Sequence, residues 1–204
     1  MLEYRKEDMK SEKTMAKLYF KYGAMGSSKT AQALITKFNY EERGMSVWLI
    51  KPAEDTRESE NTVSSRIGLE APCTPIEKFD NLIELFEHHG KTDVIIADEC
   101  QFFTARQIDE LREIVNEYKI PVLCFGLRTD FLTHLFEGSR RLFEIADSIA
   151  EIKTVCRCGR KATVNARLAK DGRVLTAGRQ IEIGGNERYV AMCHECWTRA
   201  QDKS

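Results

Sequence analysis

Apolar residues fall into two spacings along this chain, and where one gives way to the other predicts the architecture. Residues 16–22 form an aromatic-rich apolar run of strand type. Over residues 29–43 the apolar positions Ala31, Leu34, Ile35 and Phe38 recur every three to four residues, a helix, with Gly44 placed to end it. Residues 46–50 are then continuously apolar, as in a strand buried on both faces. Strand, helix and strand in that order predict a parallel sheet with a right-handed crossover.

The next stretch, residues 52–75, is polar and without a period, and reads as a long connection. A helix is predicted over 76–89 through Phe79, Leu82, Ile83 and Phe86, closed by Gly90. Apolar strands follow at 93–97 and 121–127. Between them runs a helix that Thr104 can cap and whose apolar face is Ile108, Leu111, Ile114 and Val115. A short helix over 138–146 and a strand over 148–154 complete this part. From Val155 the spacing changes to two, as residues 162–168 alternate and Asp171-Gly172 gives a hairpin turn. Residues 178–187 are glycine-bearing and irregular, and 189–192 form a last strand. The pattern therefore predicts a charged, mobile arm over 1–15, an α/β domain over 16–153 and a small β unit over 154–204.

Composition narrows the possibilities. A formal net charge of −1 argues against a general nucleic-acid binder, which carries a basic excess. No apolar run approaches the ~20 residues that cross a bilayer, and the first fourteen residues lack the apolar core of a signal peptide. Seven cysteines are an odd count without a secretory signal, so metal binding or burial is expected rather than a disulfide framework. The expected compartment is the cytoplasm.

Three constellations carry chemistry. Gly23-Ala24-Met25-Gly26-Ser27-Ser28-Lys29-Thr30 lies between strand and helix and nearly matches the phosphate-binding loop G-x-x-x-x-G-K-[ST]. In such a loop backbone N–H groups and a helix N-terminus face an anion; Lys29 would reach the β- and γ-phosphates and Thr30 would ligate Mg²⁺. Ser28 stands where the second glycine belongs, so strain in the turn is expected. Asp98 and Glu99 end an apolar strand; strand alternation would send them to opposite faces, Asp98 toward Mg²⁺ and Glu99 toward a hydroxyl proton as general base. Cys156-Arg157-Cys158 and Cys193-His194-Glu195-Cys196 offer four thiolates, a closed structural Zn²⁺ site. Phe102, Phe103, Leu127 and Phe131 follow two strand ends, where they are either core or a slot for a flat base.

Taken together, these stretches resemble type II thymidine kinase, the zinc-bearing and bacterial-like family. The likeness rests on Gly23-Ala24-Met25 with Lys29-Thr30, on Val63-Ser64-Ser65-Arg66-Ile67-Gly68 and on Asp98-Glu99-Cys100-Gln101-Phe102. It continues through Gly126-Leu127-Arg128-Thr129-Asp130-Phe131, Cys156-Arg157-Cys158-Gly159-Arg160-Lys161-Ala162 and residues 183–190, spanning about residues 16–200. The resemblance implies a phosphate-loop NTPase-like sheet with a zinc-bearing lasso, and transfer of the ATP γ-phosphoryl group to the 5′-hydroxyl of thymidine, and of deoxyuridine, in salvage. It implies Glu99 as catalytic base. Residues 23–30, Asp55, Arg57, Asp98, Glu99, Cys100 and Gln101 would contact the nucleotide. Phe102, Leu127, Phe131, Gln180, Ile181, Glu182, Ile183, Gly184 and Tyr189 would surround the nucleoside. A homotetramer inhibited by dTTP is likewise implied. Other readings of the residues are a phosphotransferase for another nucleoside and a zinc-ribbon nucleic-acid-binding protein.

Overall fold

The computed structural model describes residues 16–55, 61–180 and 188–201. Its centre is a six-stranded sheet. In chain order it comprises β1 (Leu18–Tyr22), β2 (Val47–Pro52), β5 (Thr74–Ile76), β6 (Val94–Ala97), β7 (Val122–Gly126) and β8 (Ser148–Glu151). The spatial order is β5-β2-β6-β7-β1-β8 and every pairing is parallel. Parallel strands are buried on both faces, and that is why the central ones are unbroken runs of Val, Ile and Leu.

Alternation sorts those runs into two layers. Leu18, Phe20, Trp48, Ile50, Ile95, Ala97 and Val122 face one way, onto Leu82 and Phe86 of α2 (Leu82–His89), Ile108, Leu111, Ile114 and Val115 of α3 (Ala105–Tyr118) and Leu142 of α4 (Glu137–Ile145). Leu49, Val94, Ile96, Leu123 and Phe125 face the other way, onto Ala33 and Leu34 of α1 (Lys29–Glu41). Thr104 caps α3 as expected, its hydroxyl accepting from Gln107 N–H while the Gln107 amide oxygen accepts from Thr104 N–H.

Three sequence expectations are corrected. The connection over 52–75 is not structureless, since it contains a small hairpin, β3 (Thr62–Ser64) with β4 (Glu70–Pro72), and then β5 on the sheet edge. The second helix begins at Leu82, not near Ile76, because Asn81 caps it through its side-chain oxygen, and Phe79 is left exposed. On α1, Ile35 and Phe38 point outward; the buried face is Ala31, Ala33 and Leu34.

Beyond the main sheet lie two small antiparallel pairs. One joins β9 (Thr154–Val155) to β10 (Lys161–Ala162); the other joins β11 (Val164–Arg167) to β12 (Tyr189–Met192). A final helix, α5 (His194–Gln201), was not anticipated, so this part is not purely β. No described helix is long and apolar enough to cross a membrane. The arm over 1–15 lies outside the described residues.

Candidate active site and cysteine cluster

The loop between β1 and α1 is shaped by two left-handed residues. Gly26 (φ 73°) and Ser28 (φ 62°, ψ 31°) both lie in the region that favours glycine. Gly23 is required for a different reason, since a Cβ there would sit 2.4 Å from the Ile152 carbonyl and from Ser27 Oγ. Lys29 is buried at the start of α1 and its ammonium donates to the Ala24 carbonyl at 3.1 Å. Ser28 thus carries the strain its sequence position implies, worth roughly 1–2 kcal/mol for an L-residue. Ser28→Gly should stabilise the protein by a net ~0.5–1 kcal/mol, raise Tm by about 1–4 °C and lower KM for ATP. Differential scanning fluorimetry and ATP titration check both; an unchanged Tm shows the serine is accommodated without cost.

A cleft of about 200 Å³ opens over this loop. Of the sequence-derived candidates it is lined by Met25, Gly26, Ser28, Lys29, Thr30, Asp55, Asp98 and Glu99. Asp98 and Glu99 therefore share one cavity, contrary to the opposite-face expectation. The reason is local. β6 stops at Ala97, and Glu99 takes a left-handed conformation (φ 49°, ψ 36°) that swings its side chain back to the same mouth.

The two carboxylates differ in surroundings. Asp98 is 3% exposed, and burial, then the charge of Glu99, pushes its carboxyl up to about 7 against the opposing pull of Thr30 and Lys29. Its Oδ1 is buried without a hydrogen-bond partner among the described residues. An orphaned carboxylate oxygen beside a threonine hydroxyl is an oxygen donor set that fits Mg²⁺. Below pH ~4 Asp98 is protonated whether folded or not, and it costs nothing. As pH rises toward 7 the unfolded chain ionises first, and above 7 the folded state holds a buried carboxylate. Asp98→Asn should therefore be more stable than wild type at pH 8 by on the order of 2–4 kcal/mol, the gap closing toward pH 4. Denaturant melts at the two pH values test this; a gap independent of pH would contradict it.

Glu99 is held from behind. Gln101 Nε2 donates to Glu99 Oε2 at 2.5 Å, and Gln101 Oε1 accepts from Leu127 N–H at 2.9 Å. Gln101 and Cys100 are buried on the 3-10 turn Cys100–Phe102, behind the cleft rather than in its lining. Burial and its Cys124 neighbour keep the Cys100 thiol well above its usual range. Leu127 leads from this bond into the aromatic wall. Phe102 meets Phe136 edge-on at 5.6 Å, and Phe131, 1% exposed, lies under the Arg167 guanidinium at 3.7 Å. Arg167 pairs in register with Tyr189 and donates to the Arg179 carbonyl at 3.0 Å. Exposed Gln180 donates to Asp130 at 3.0 Å. Arg57, Ile181, Glu182, Ile183 and Gly184 lie outside the described residues.

Sequence reading missed Lys51, Asn165 and Arg167, all buried. Lys51 lines the cleft and donates to the Thr62 carbonyl at 3.0 Å, and residues 62–67 form the facing wall. The available signal was a charged or amide side chain inside an otherwise buried strand.

The four cysteines converge as expected. The sulfurs of Cys156, Cys158, Cys193 and Cys196 lie within 4.8 Å of one another, and Cys158 and Cys193 are 3.6 Å apart. Tetrahedral Zn²⁺ at ~2.3 Å from each sulfur requires an edge of about 3.8 Å, so the donor set fits that ion. Arg160 beside Cys158 lowers its thiol to about 6, whereas the neighbouring cysteines raise Cys196 to about 12. Arg160 is paired with Glu195 and Lys161 with Glu151.

Comparison with known proteins gives the family. The family model described as thymidine kinase matches residues 16–197. The chain belongs to the thymidine kinase family. Its similar relatives include the thymidine kinases of Zymomonas mobilis subsp. mobilis (47% identical, covering 88% of this chain and 94% of that one) and Legionella pneumophila strain Lens (45%; 92% and 91%). That of Vibrio vulnificus strain CMCP6 is 44% identical over 93% of this chain and all of its own. Within a thymidine kinase, the cleft over Lys29 and the aromatic wall past Leu127 are candidates for the two substrate halves.

Proposed function

We propose that this protein is an ATP-dependent thymidine kinase of the zinc-bearing type, acting in nucleotide salvage on thymidine and deoxyuridine. The observation that carries the reading is that Glu99 lies in the cleft of the phosphate loop and is tied through Gln101 to the Leu127 N–H, four residues before Phe131. On this reading Glu99 stands between a triphosphate site and a nucleoside site.

The chemistry follows from the positions. ATP phosphates bind along the backbone N–H groups of residues 23–30, with Lys29 toward the β- and γ-phosphates and Asp55 and Arg57 as further contacts. Thr30 and Asp98 hold Mg²⁺, which when bound offsets phosphate charge. The thymine ring packs among Phe102, Leu127, Phe131 and Tyr189, with Gln180, Ile181, Glu182, Ile183 and Gly184 as further contacts. Glu99 accepts the proton of the 5′-hydroxyl as that oxygen forms its bond to the γ-phosphorus. The bond from γ-phosphorus to the β-bridging oxygen breaks, and ADP leaves with the electron pair. Cys156, Cys158, Cys193 and Cys196 bind a structural Zn²⁺. The reading includes a cytoplasmic homotetramer subject to inhibition by dTTP.

A panel of nucleosides with ATP and Mg²⁺ tests it. Thymidine and deoxyuridine should yield their 5′-monophosphates, and purine nucleosides should not. Turnover of another nucleoside with none of thymidine would overturn the assignment.

A further inference from the structure

The amide of Asn165 connects the two halves of the site. It lies on β11, 3% exposed, and both of its polar ends are used. Its Oδ1 accepts from the backbone N–H of Met25, in the phosphate loop, at 2.8 Å. Its Nδ2 donates to the carbonyl of Thr129 at 2.8 Å, in the turn that leads into Asp130 and Phe131. The two partners are 140 and 36 residues away in sequence. One side chain from the cysteine-bearing part of the chain therefore spans the gap between the nucleotide loop and the aromatic wall.

Its neighbours reinforce the span. Arg128 donates to the Thr163 carbonyl at 3.3 Å, two residues before Asn165. Thr154 Oγ1 donates to the Gly26 carbonyl at 3.4 Å, and the Ile152 carbonyl abuts Gly23 so closely that no Cβ fits. The outer edge of the loop thus rests on residues 152–165, whereas its inner edge continues into α1. A loop held on that edge by Asn165, Thr154 and the Ile152 carbonyl inherits its position from residues 152–165.

We propose that Asn165 is a positioning residue, an amide strut that sets the phosphate loop against the nucleoside wall so that γ-phosphorus and acceptor oxygen meet in line. It acts through the Met25 N–H and the Thr129 carbonyl. The inference deepens the kinase assignment above and rests on it for its kinetic part. Phosphoryl transfer depends on alignment more than on any bond the protein makes, and a displacement of about 1 Å can cost on the order of 10²-fold in rate.

Two variants of the full-length protein test the strut. Asn165→Leu keeps approximate size and removes both bonds; Asn165→Asp keeps the acceptor for Met25 N–H and loses the donor to Thr129. In Asn165→Leu, amide hydrogen exchange over residues 23–26 should quicken about fivefold, as loss of one hydrogen bond implies. In Asn165→Asp it should stay near the wild-type rate. With both substrates saturating, kcat per folded molecule should fall about 10- to 100-fold in each variant, while the separately measured Kd for ATP and for thymidine change less than threefold. A residue that only stabilised the fold would lower Tm and leave kcat per folded molecule intact. Wild-type exchange over residues 23–26 in Asn165→Leu, or kcat within twofold of wild type in Asn165→Asp, overturns the proposal. The exchange result does not depend on which nucleoside is phosphorylated, so it decides the strut even where the thymidine reading fails.

Discussion

Glu99→Gln should lower kcat for thymidine phosphorylation by about 10²–10⁴-fold, the range set by removing a positioned general base. ATP affinity should stay within about twofold, because Lys29, Thr30 and Asp98 are untouched. The substitution is well suited to the site, since the new amide can still meet Gln101, whose own anchor is the Leu127 N–H. The fold around β6 should therefore survive, and any loss belongs to the chemical step. Asp98 makes the contrast. Its carboxyl is deeply buried and raised to about 7, with Thr30 and Lys29 beside it. Its orphaned Oδ1 suits a cation, the role proposed for it above. Single-turnover assays with ATP in excess separate the two. Glu99→Gln with kcat within threefold of wild type would remove Glu99 from the reaction and shift attention to a water or to Asp98.

Much of this site was legible because its signals are local. The apolar runs at Val94–Ala97 and Val122–Gly126 are long enough to be read as buried strands, and Thr104 with Gln107 spells a helix start within four residues. The phosphate loop and both cysteine pairs are short motifs whose chemistry is set by residue type and spacing. What escaped depends on distant partners. Strands of three residues, such as Thr62–Ser64 and Glu70–Pro72, carry too few positions to show a period, so their hairpin read as loop. Helix α5 is eight residues long and only half-buries Cys196, Trp197 and Ala200, too short a stripe to read as a period. The alternation over 162–168 implied an outward face, yet all four residues of β11 are buried because the phosphate loop and the aromatic wall cover its other side. Strand alternation also failed at Glu99, where one left-handed residue re-aimed the side chain. At β11 tertiary contact, and at Glu99 one backbone conformation, overrode an alternation that was read correctly.

Removing the metal should do more damage than any surface substitution. The expected result is one zinc per chain by elemental analysis, lost on treatment with a strong chelator, with Tm falling by more than about 10 °C and thymidine turnover by more than about 100-fold. The reason is the small size of what the cysteines hold. The apolar cluster there consists of Cys156, Ala162 and Cys193, with Ala191, Met192 and Cys196 against it. At about 25 cal/mol per Å² so few small side chains cannot offset the entropy of ordering β9, β10, β12 and α5, and an ion bound by the four sulfurs is expected to supply the difference. The consequence reaches the site through strand pairing. β12 carries Tyr189 and is held to β11, and β11 carries Arg167 over Phe131 and Asn165 on Met25. Loss of the ion should release the nucleoside wall first and loosen the phosphate loop second, so KM for thymidine should rise further than KM for ATP. Cys196→Ser, which leaves three thiols, should reproduce the effect without chelator. A zinc-free protein with wild-type turnover and Tm would show instead that the four cysteines hold their geometry by packing alone.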